Sequence, residues 1–188
     1  MESSAPLLPH LSEKQDFQEV FVETVKIEGY NENWPLMFQE EKRQVEEIMT
    51  DKAIAIEHIG STAVPGLSAK TVIDFMVGVK DLAEVEAFIE PLARIGYEHV
   101  VHKEFPNRRF FRKGQWRAGT HHLHVYVYGS EEWDHQLAFR DYLRDHSEAM
   151  MQYDQLKREL ADKYPHDRAA YTNAKHPFIT EILARVKL

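Results

Sequence analysis

The sequence predicts a mixed α/β (α+β) fold, a sheet core followed by helices. Two apolar, β-branched runs, "AIAIEHIG" and "TVIDFMVGV", flank a connection punctuated by Gly60, Pro65 and Gly66, the pattern of neighbouring strands buried on both faces of a central sheet. A third run, "THHLHVYVYG", alternates as a strand does. From Trp133 onward only helical periodicity remains. The resulting division is an extension over residues 1–24, a sheet core over 25–132 and a helical region over 133–188 packed on that core. A chain of 188 residues buries one sizeable core without a second independent domain.

Taken in order, the extension scatters polar and apolar residues around Pro6 and Pro9, and "ETVKI" reads as a short β-like run. In "YNENWPLMFQEEKRQVEEIM" Asn33 is placed to cap a helix whose first turn holds Pro35, with Phe38, Val45, Ile48 and Met49 on one face. "DLAEVEAFIEPLARIGY" reads as one helix with Leu82, Val85, Phe88 and Ile89 inward, ended by Gly96. Strands are expected around Tyr97–Val101 and Arg108–Arg112. In "SEAMMQYDQLKRELADKY", Met150, Tyr153, Leu156, Leu160 and Tyr164 recur at helical spacing, and the last helical stretch is broken near Pro177.

Charge and composition narrow the function classes. With 23 basic against 31 acidic residues the net charge is −8, which opposes nonspecific binding to bulk nucleic acid or an anionic membrane. A small phosphate-bearing ligand on a local basic patch fits this balance. No apolar run approaches the ~18 residues of a membrane span, and the first residues lack the basic-then-apolar order of a secretory signal; the expectation is a soluble, cytoplasmic protein. The absence of cysteine excludes disulfides and thiolate metal sites.

Chemistry concentrates in a few segments. Gly60 allows close backbone approach, and Ser61 and Thr62 bring hydroxyls to the turn, a geometry suited to phosphate oxygens. Asp74 sits in an otherwise apolar strand, where a carboxylate is costly unless it ligates or is paired, Lys70 and Arg112 being the salt-bridge candidates. On the "HHLHVYVY" strand, His122, His124, Tyr126 and Tyr128 share one face, and His121, Leu123, Val125 and Val127 the other. His122 and His124 can share a metal or a phosphate with Asp74, joined by His58. Imidazole-rich ligation suits Zn²⁺, Mn²⁺, Fe²⁺ or Ni²⁺ better than Mg²⁺. The alternatives are that these histidines hydrogen-bond neighbours under the helices, or donate to phosphate without metal. In "NRRFFRKG" alternation puts Arg108, Phe110 and Arg112 on one face and Arg109, Phe111 and Lys113 on the other. Guanidinium forks there match phosphate oxygens. Lys157 and Lys175 can reach down from the helices, and Trp116 can stack a base or anchor its loop.

The string "HIGSTAVPGLSAKTVIDFMV" resembles the active-site segment of nucleotidyltransferases of the DNA polymerase beta type: strand, Gly-Ser, intervening glycine, acidic strand. The alignment puts Asp74 on the second aspartate of that pattern and Val72 on the first. Residues 58–67, Lys70 and Ile73-Asp74 also resemble, almost letter for letter, the GrpB proteins. "YNENWPLMFQEE", "HLHVYVYGS", "LAFRDYLRDH", "YDQLKRELA" and "YTNAKHPFI" extend the likeness from Val25 to Val186. The resemblance implies a nucleotidyltransferase-like mixed sheet with flanking helices and a C-terminal helical bundle. GrpB domains occur fused to dephospho-CoA kinase, which implies a nucleotide- or CoA-like ligand. The expected function is metal-assisted transfer of a nucleotidyl or phosphoryl group to a small acceptor, with a divalent ion (Mg²⁺, Mn²⁺ or Zn²⁺) on Asp74, His122 and His124. Asp74 and His124 would be catalytic. Gly60, Ser61, Thr62, Lys70, Arg108, Arg112, His122 and Lys157 would hold substrate. The alternatives are a non-catalytic binding or regulatory module and a histidine-based metallohydrolase.

Overall fold

The computed structural model of the protein describes residues 24–115 and 118–186. The expected extension, apart from Thr24, and Trp116 lie outside the described residues. Five strands, β1 (Ala55–Ile59), β2 (Ile73–Val79), β3 (Tyr97–Val100), β4 (Arg109–Gln115) and β5 (Ala118–Val127), form one sheet in the order β1-β2-β5-β4-β3. Only the β2–β5 pair is parallel; the other neighbours are antiparallel. The helices are α1 (Trp34–Met49), α2 (Ile89–Arg94), α3 (Glu131–Asp145), α4 (Ser147–Lys163), α5 (Arg168–Ala174) and α6 (His176–Arg185). None is long and apolar enough to cross a membrane.

Strand alternation gives the sheet two different faces. Ile73, Phe75, Val77 and Val79 of β2 are fully buried. They join Leu123 and Val125 of β5 and Phe111 of β4 in one core with Trp34, Phe38, Val45 and Met49 of α1 and Leu92 of α2; each such side chain contributes roughly 1.5–3 kcal/mol by leaving water. On the other face Met76 packs with Ile59, Tyr126 and Trp133. Beyond it, Val64 and Leu67 of the β1–β2 connection pack with Leu143, Ala149, Tyr153 and Ile182. The helical region is thus seated on the connection that follows the Gly-Ser turn.

Four expectations change. The run "AIAIEHIG" forms the sheet's edge, not its centre: Ile54 is exposed and Ala55 and Glu57 are half-buried. "ETVKI" does not form a strand, because its described part bonds to loops: Val25 N–H donates to the Pro165 carbonyl, and only the adjacent Glu28 bridges Ala69. The expected helix over residues 81–97 begins as a 3-10 segment, Leu82–Phe88, and becomes α-helical only from Ile89. Pro91 has no N–H for the Ala87 carbonyl and its ring crowds that group, so it is accommodated in the first turn of α2 and the turn before it is not α-helical. Asn33 occupies the N-cap position of α1 without a side-chain bond; Asn31 Oδ1 accepts from Asn33 N–H instead. The break near Pro177 is present, with α5 ending at Ala174 and α6 opening at His176.

Gly78 marks how tightly the aromatic layer lies on β2, since a Cβ there would come within 2.8 Å of the Tyr128 ring and 3.1 Å of the Trp133 ring. Gly78→Ala is expected to lower stability by about 1–3 kcal/mol in urea unfolding. Gly29→Ala, with nothing within 4 Å of its Cβ, serves as the control. Equal effects of the two substitutions would contradict this packing.

Candidate functional site

The Gly-Ser turn is held from several sides. Gly60 has φ +70°, and a Cβ on it would stand 3.0 Å from both Cβ and Oδ2 of Asp74. Glycine is therefore required for conformation and for close approach. A 3-10 turn, Ser61–Ala63, follows. His58 stacks on Phe38, with centroids 4.7 Å apart, and its Nε2 lies 3.0 Å from Thr62 Oγ1. From α3, Arg140 donates to the His58 carbonyl at 2.9 Å and pairs with Glu57 at 2.7 Å, while Arg144 donates twice to the Ala63 carbonyl, at 3.0 and 2.8 Å. From α4, Asp154 accepts from the Ser68 N–H at 2.9 Å and from its hydroxyl, and the Lys157 ammonium donates to the Ser68 carbonyl.

Parallel pairing sets Asp74 opposite His122 and Met76 opposite His124. His122 Nδ1 lies 2.9 Å from Asp74 Oδ1, and His124 Nε2 3.7 Å from the same oxygen. Burial pushes the Asp74 carboxyl up, but hydrogen bonding to His122 and His124 outweighs it and holds the group well below the usual carboxylate range. Burial pushes His124 down, against the pull of Asp74. Phe110 packs against both imidazoles, with centroids 5.2 and 5.1 Å away.

This arrangement does not fit the expected histidine-rich metal centre. Among the described residues no three His, Asp or Glu side chains converge so as to hold an ion. One nitrogen of each imidazole, His122 Nδ1 and His124 Nε2, faces the same Asp74 oxygen. A histidine-based metallohydrolase, which needs such ligands, gains no support here.

A cavity of about 250 Å³ gathers Ser61, Thr62, Lys70, Asp74, His122 and Lys157. It adds Arg168, Tyr171, Thr172 and Lys175 from α5 and the α5–α6 junction. Four cationic side chains thus share a wall with one carboxylate. The Lys70 and Lys175 ammonium groups lie 4.8 and 4.6 Å from the Tyr171 ring centroid. Burial pushes the Lys157 ammonium down to about 7 and lowers Lys175, for which Asp74 partly compensates. Gly60, Ser61, Asp74 and Lys175 also line a second cavity of about 220 Å³.

Not every expected residue offers its polar atoms to the cation-lined cavity. Thr62 is buried at its edge with its hydroxyl engaged by His58. Arg112 shares the His122 face but donates to Glu98 at 2.9 and 2.7 Å. Arg108 lies over the rings of Phe105 and Phe110, 4.5 and 5.2 Å from their centroids. His124 reaches Asp74 from beneath without lining the cavity. Arg140, Arg144, Arg168, Tyr171 and Thr172 were not picked out by residue chemistry. Their only sequence signal was membership of, or closeness to, "LAFRDYLRDH" and "YTNAKHPFI", because helical periodicity does not say which polar positions face a cleft.

The His58 contact has a pH signature. Burial first, then the Arg144 and Arg140 charges, push its imidazole down to about 4, against Asp74. The unfolded chain takes up this proton below pH ~6.5. The stability carried by neutral His58 is therefore whole above that pH and lost as pH falls through about 4, on the order of 3 kcal/mol. Urea unfolding at pH 7 and pH 4.5 is expected to show a smaller pH loss in His58→Gln than in the parent protein. An unchanged loss would contradict it.

A family model described as GrpB protein matches residues 24–185. The "Glutamate-rich protein GrpB" of Alkalihalophilus pseudofirmus is 39% identical over 158 residues, covering 82% of this chain and 91% of that one. The crystal structure of conserved protein GrpB from Enterococcus faecalis superposes with a TM-score of 0.80 at 35% identity, over 85% of this chain and 96% of that one. A dephospho-CoA kinase of Mycolicibacterium paratuberculosis is 26% identical over 81% of this chain, which spans only 43% of the kinase. The sheet, the Gly-Ser turn with its acidic strand and the helices seated on it are those of a chain that belongs to the GrpB family.

Proposed function

We propose that the protein binds a nucleotide- or CoA-like phosphate ligand in the cation-lined cavity and transfers a nucleotidyl or phosphoryl group from it to a small acceptor. The observation that carries this is the meeting of Lys70, Lys157, Arg168 and Lys175 with Ser61, Asp74 and His122 around one cavity, in a chain whose overall charge is −8. A local excess of cations in an acidic protein suits a small polyanion and disfavours a large one. The partial likeness to dephospho-CoA kinase points to the same ligand class.

In the transfer, the acceptor oxygen attacks phosphorus. The new P–O bond forms as the bond to the leaving phosphate breaks, and that phosphate departs with the electron pair as pyrophosphate or a nucleoside diphosphate. The acceptor proton passes to Asp74, which its two histidines keep ionised; a low-affinity base suffices because such transition states are loose and the proton leaves late. The lysines oppose the charge developing on the phosphate oxygens.

The second reading is a binding module that has lost transfer chemistry, favoured by Val72 at the first acidic position of the transferase pattern. Nucleoside triphosphates and CoA precursors, assayed with Mg²⁺ or Mn²⁺ and a panel of small acceptors, separate the two. The transferase reading expects Asp74→Ala to lose about 10²–10⁴ in turnover while the donor still binds. Tight binding with no turnover in the parent protein would establish the module instead. Because the Lys157 charge is lost as pH rises through about 7, ATP affinity is expected to fall between pH 6 and 8.5. In Lys157→Met that part of the fall should vanish, and an identical pH profile in both proteins would count against Lys157 as a ligand contact.

A further inference from the structure

Ser61, Asp74 and Lys175 line two cavities at once, the cation-lined one and the second one beside it. Between them these side chains offer a hydroxyl, a carboxylate and an ammonium. A wall of that composition is where a group leaving one occupant can reach the other.

The second cavity draws more of its lining from apolar side chains, although polar and apolar atoms share its surface evenly. Val64, Phe139, Leu143, Tyr153, Ile179 and Leu183 supply an apolar lining from the β1–β2 connection, α3, α4 and α6, and His135 and Gln136 add polar atoms. Arg140 also borders it, but its guanidinium is committed to Glu57, Asp141 and the His58 carbonyl. Its volume of about 220 Å³ is below the ~300 Å³ of ordinary ligand pockets and admits a small occupant whole, whereas the cation-lined cavity, at about 250 Å³, takes only the phosphates of its larger ligand.

Resting on the transfer reading above, we propose that this second cavity is the acceptor site and takes a small, uncharged alcohol with a largely hydrocarbon body. The apolar lining takes the body. Asp74 accepts the hydroxyl proton, so the acceptor oxygen is aimed at the phosphorus held across the shared wall. An anionic acceptor would find Arg140 already paired and the Asp74 carboxylate beside it, and a cationic amine would find the Asp74 charge already answered by His122 and Lys175. In the transfer the acceptor O–H bond breaks, its oxygen bonds to phosphorus, the proton goes to Asp74, and the donor's phosphate leaves on the cation-lined side.

Benzyl alcohol, toluene and benzylamine serve as probes, titrated into the full chain with ¹³C-labelled methyl groups and followed by NMR, with ATP titrated in parallel. Benzyl alcohol is expected to shift the methyls of Leu143, Ile179 and Leu183. It should bind about tenfold or more tightly than toluene through the charge-assisted hydrogen bond, with benzylamine weaker than the alcohol. Asp74→Asn should erase most of the alcohol's advantage. Ile179→Trp and, independently, Leu183→Phe should weaken benzyl alcohol about tenfold while changing ATP affinity by less than about twofold, since filling a cavity excludes its occupant without touching its neighbour; thermal melting confirms that each variant is folded. Shifts centred elsewhere, equal affinity for alcohol and toluene, or alcohol binding that survives both filling variants would overturn the proposal. If benzyl alcohol seats as described but ATP binds nowhere, the alcohol site stands and the transfer reading falls.

Discussion

The structure turns on one half-buried carboxylate. Asp74 interrupts a strand whose other side chains are apolar, with Gly60 pressed against it on one side and two imidazoles on the other. An acid in that position is costly unless its charge is answered. His122 answers it directly, from the opposite position on the parallel partner strand. The consequence is an ionised oxygen pair held at the junction of two cavities. Parallel pairing matters here because it brings Asp74 and His122, far apart in sequence, to the same height in the sheet. A register slip of one residue would turn His122 to the other face.

Around that carboxylate the fold and the site share their supports. The connection after the Gly-Ser turn has little regular structure, and its carbonyls need donors. Arg144 of α3 supplies them at Ala63 and Lys157 of α4 at Ser68, while Arg140 of α3 holds the His58 carbonyl of β1 just before the turn. Val64 and Leu67 of the same connection enter the apolar cluster of the helical region. The helices therefore cap the cleft and set its floor together. Lys157 shows the double use: it is almost fully buried and bonded to a loop carbonyl, yet it borders the cation-lined cavity.

Much of this was legible in the sequence where local pattern governs. The period of two on "HHLHVYVY" put His122 and His124 on one face, and the β4 register with Phe110 and Arg112 beside them agrees. The spacing from Gly60 to Asp74 marked the turn and the acid. What alternation does not reveal is which partner a polar group chooses. Arg112 stood on the right face but is bonded to Glu98 on the neighbouring edge strand. Alternation placed His122 and His124 beside Asp74 but did not say that His122 Nδ1 would lie 2.9 Å from its carboxylate and His124 Nε2 farther off, at 3.7 Å. Likewise, periodicity marked Tyr153 and Leu160 as inward on α4 and gave Lys157, which lies between them, as a side chain able to reach down to a ligand, not as one sealed under the helix. Its burial follows from the loop carbonyl waiting beneath it, a tertiary fact with no local signal. Pro91 carried a helix break in plain view, and helical spacing on either side of it hid the break.

The central claim is that Ser61, Lys70, Lys175 and Asp74 form a phosphate-handling junction. A crystal structure of the protein with a non-hydrolysable ATP analogue tests it most directly. The account predicts the terminal phosphates in the cation-lined cavity, within hydrogen-bond distance of Ser61 and the ammonium groups of Lys70 and Lys175, with the terminal phosphorus facing Asp74. Phosphates bound on the β4 edge near Arg112, or bound at the rim with the Lys175 ammonium still turned to the Tyr171 ring, would contradict it.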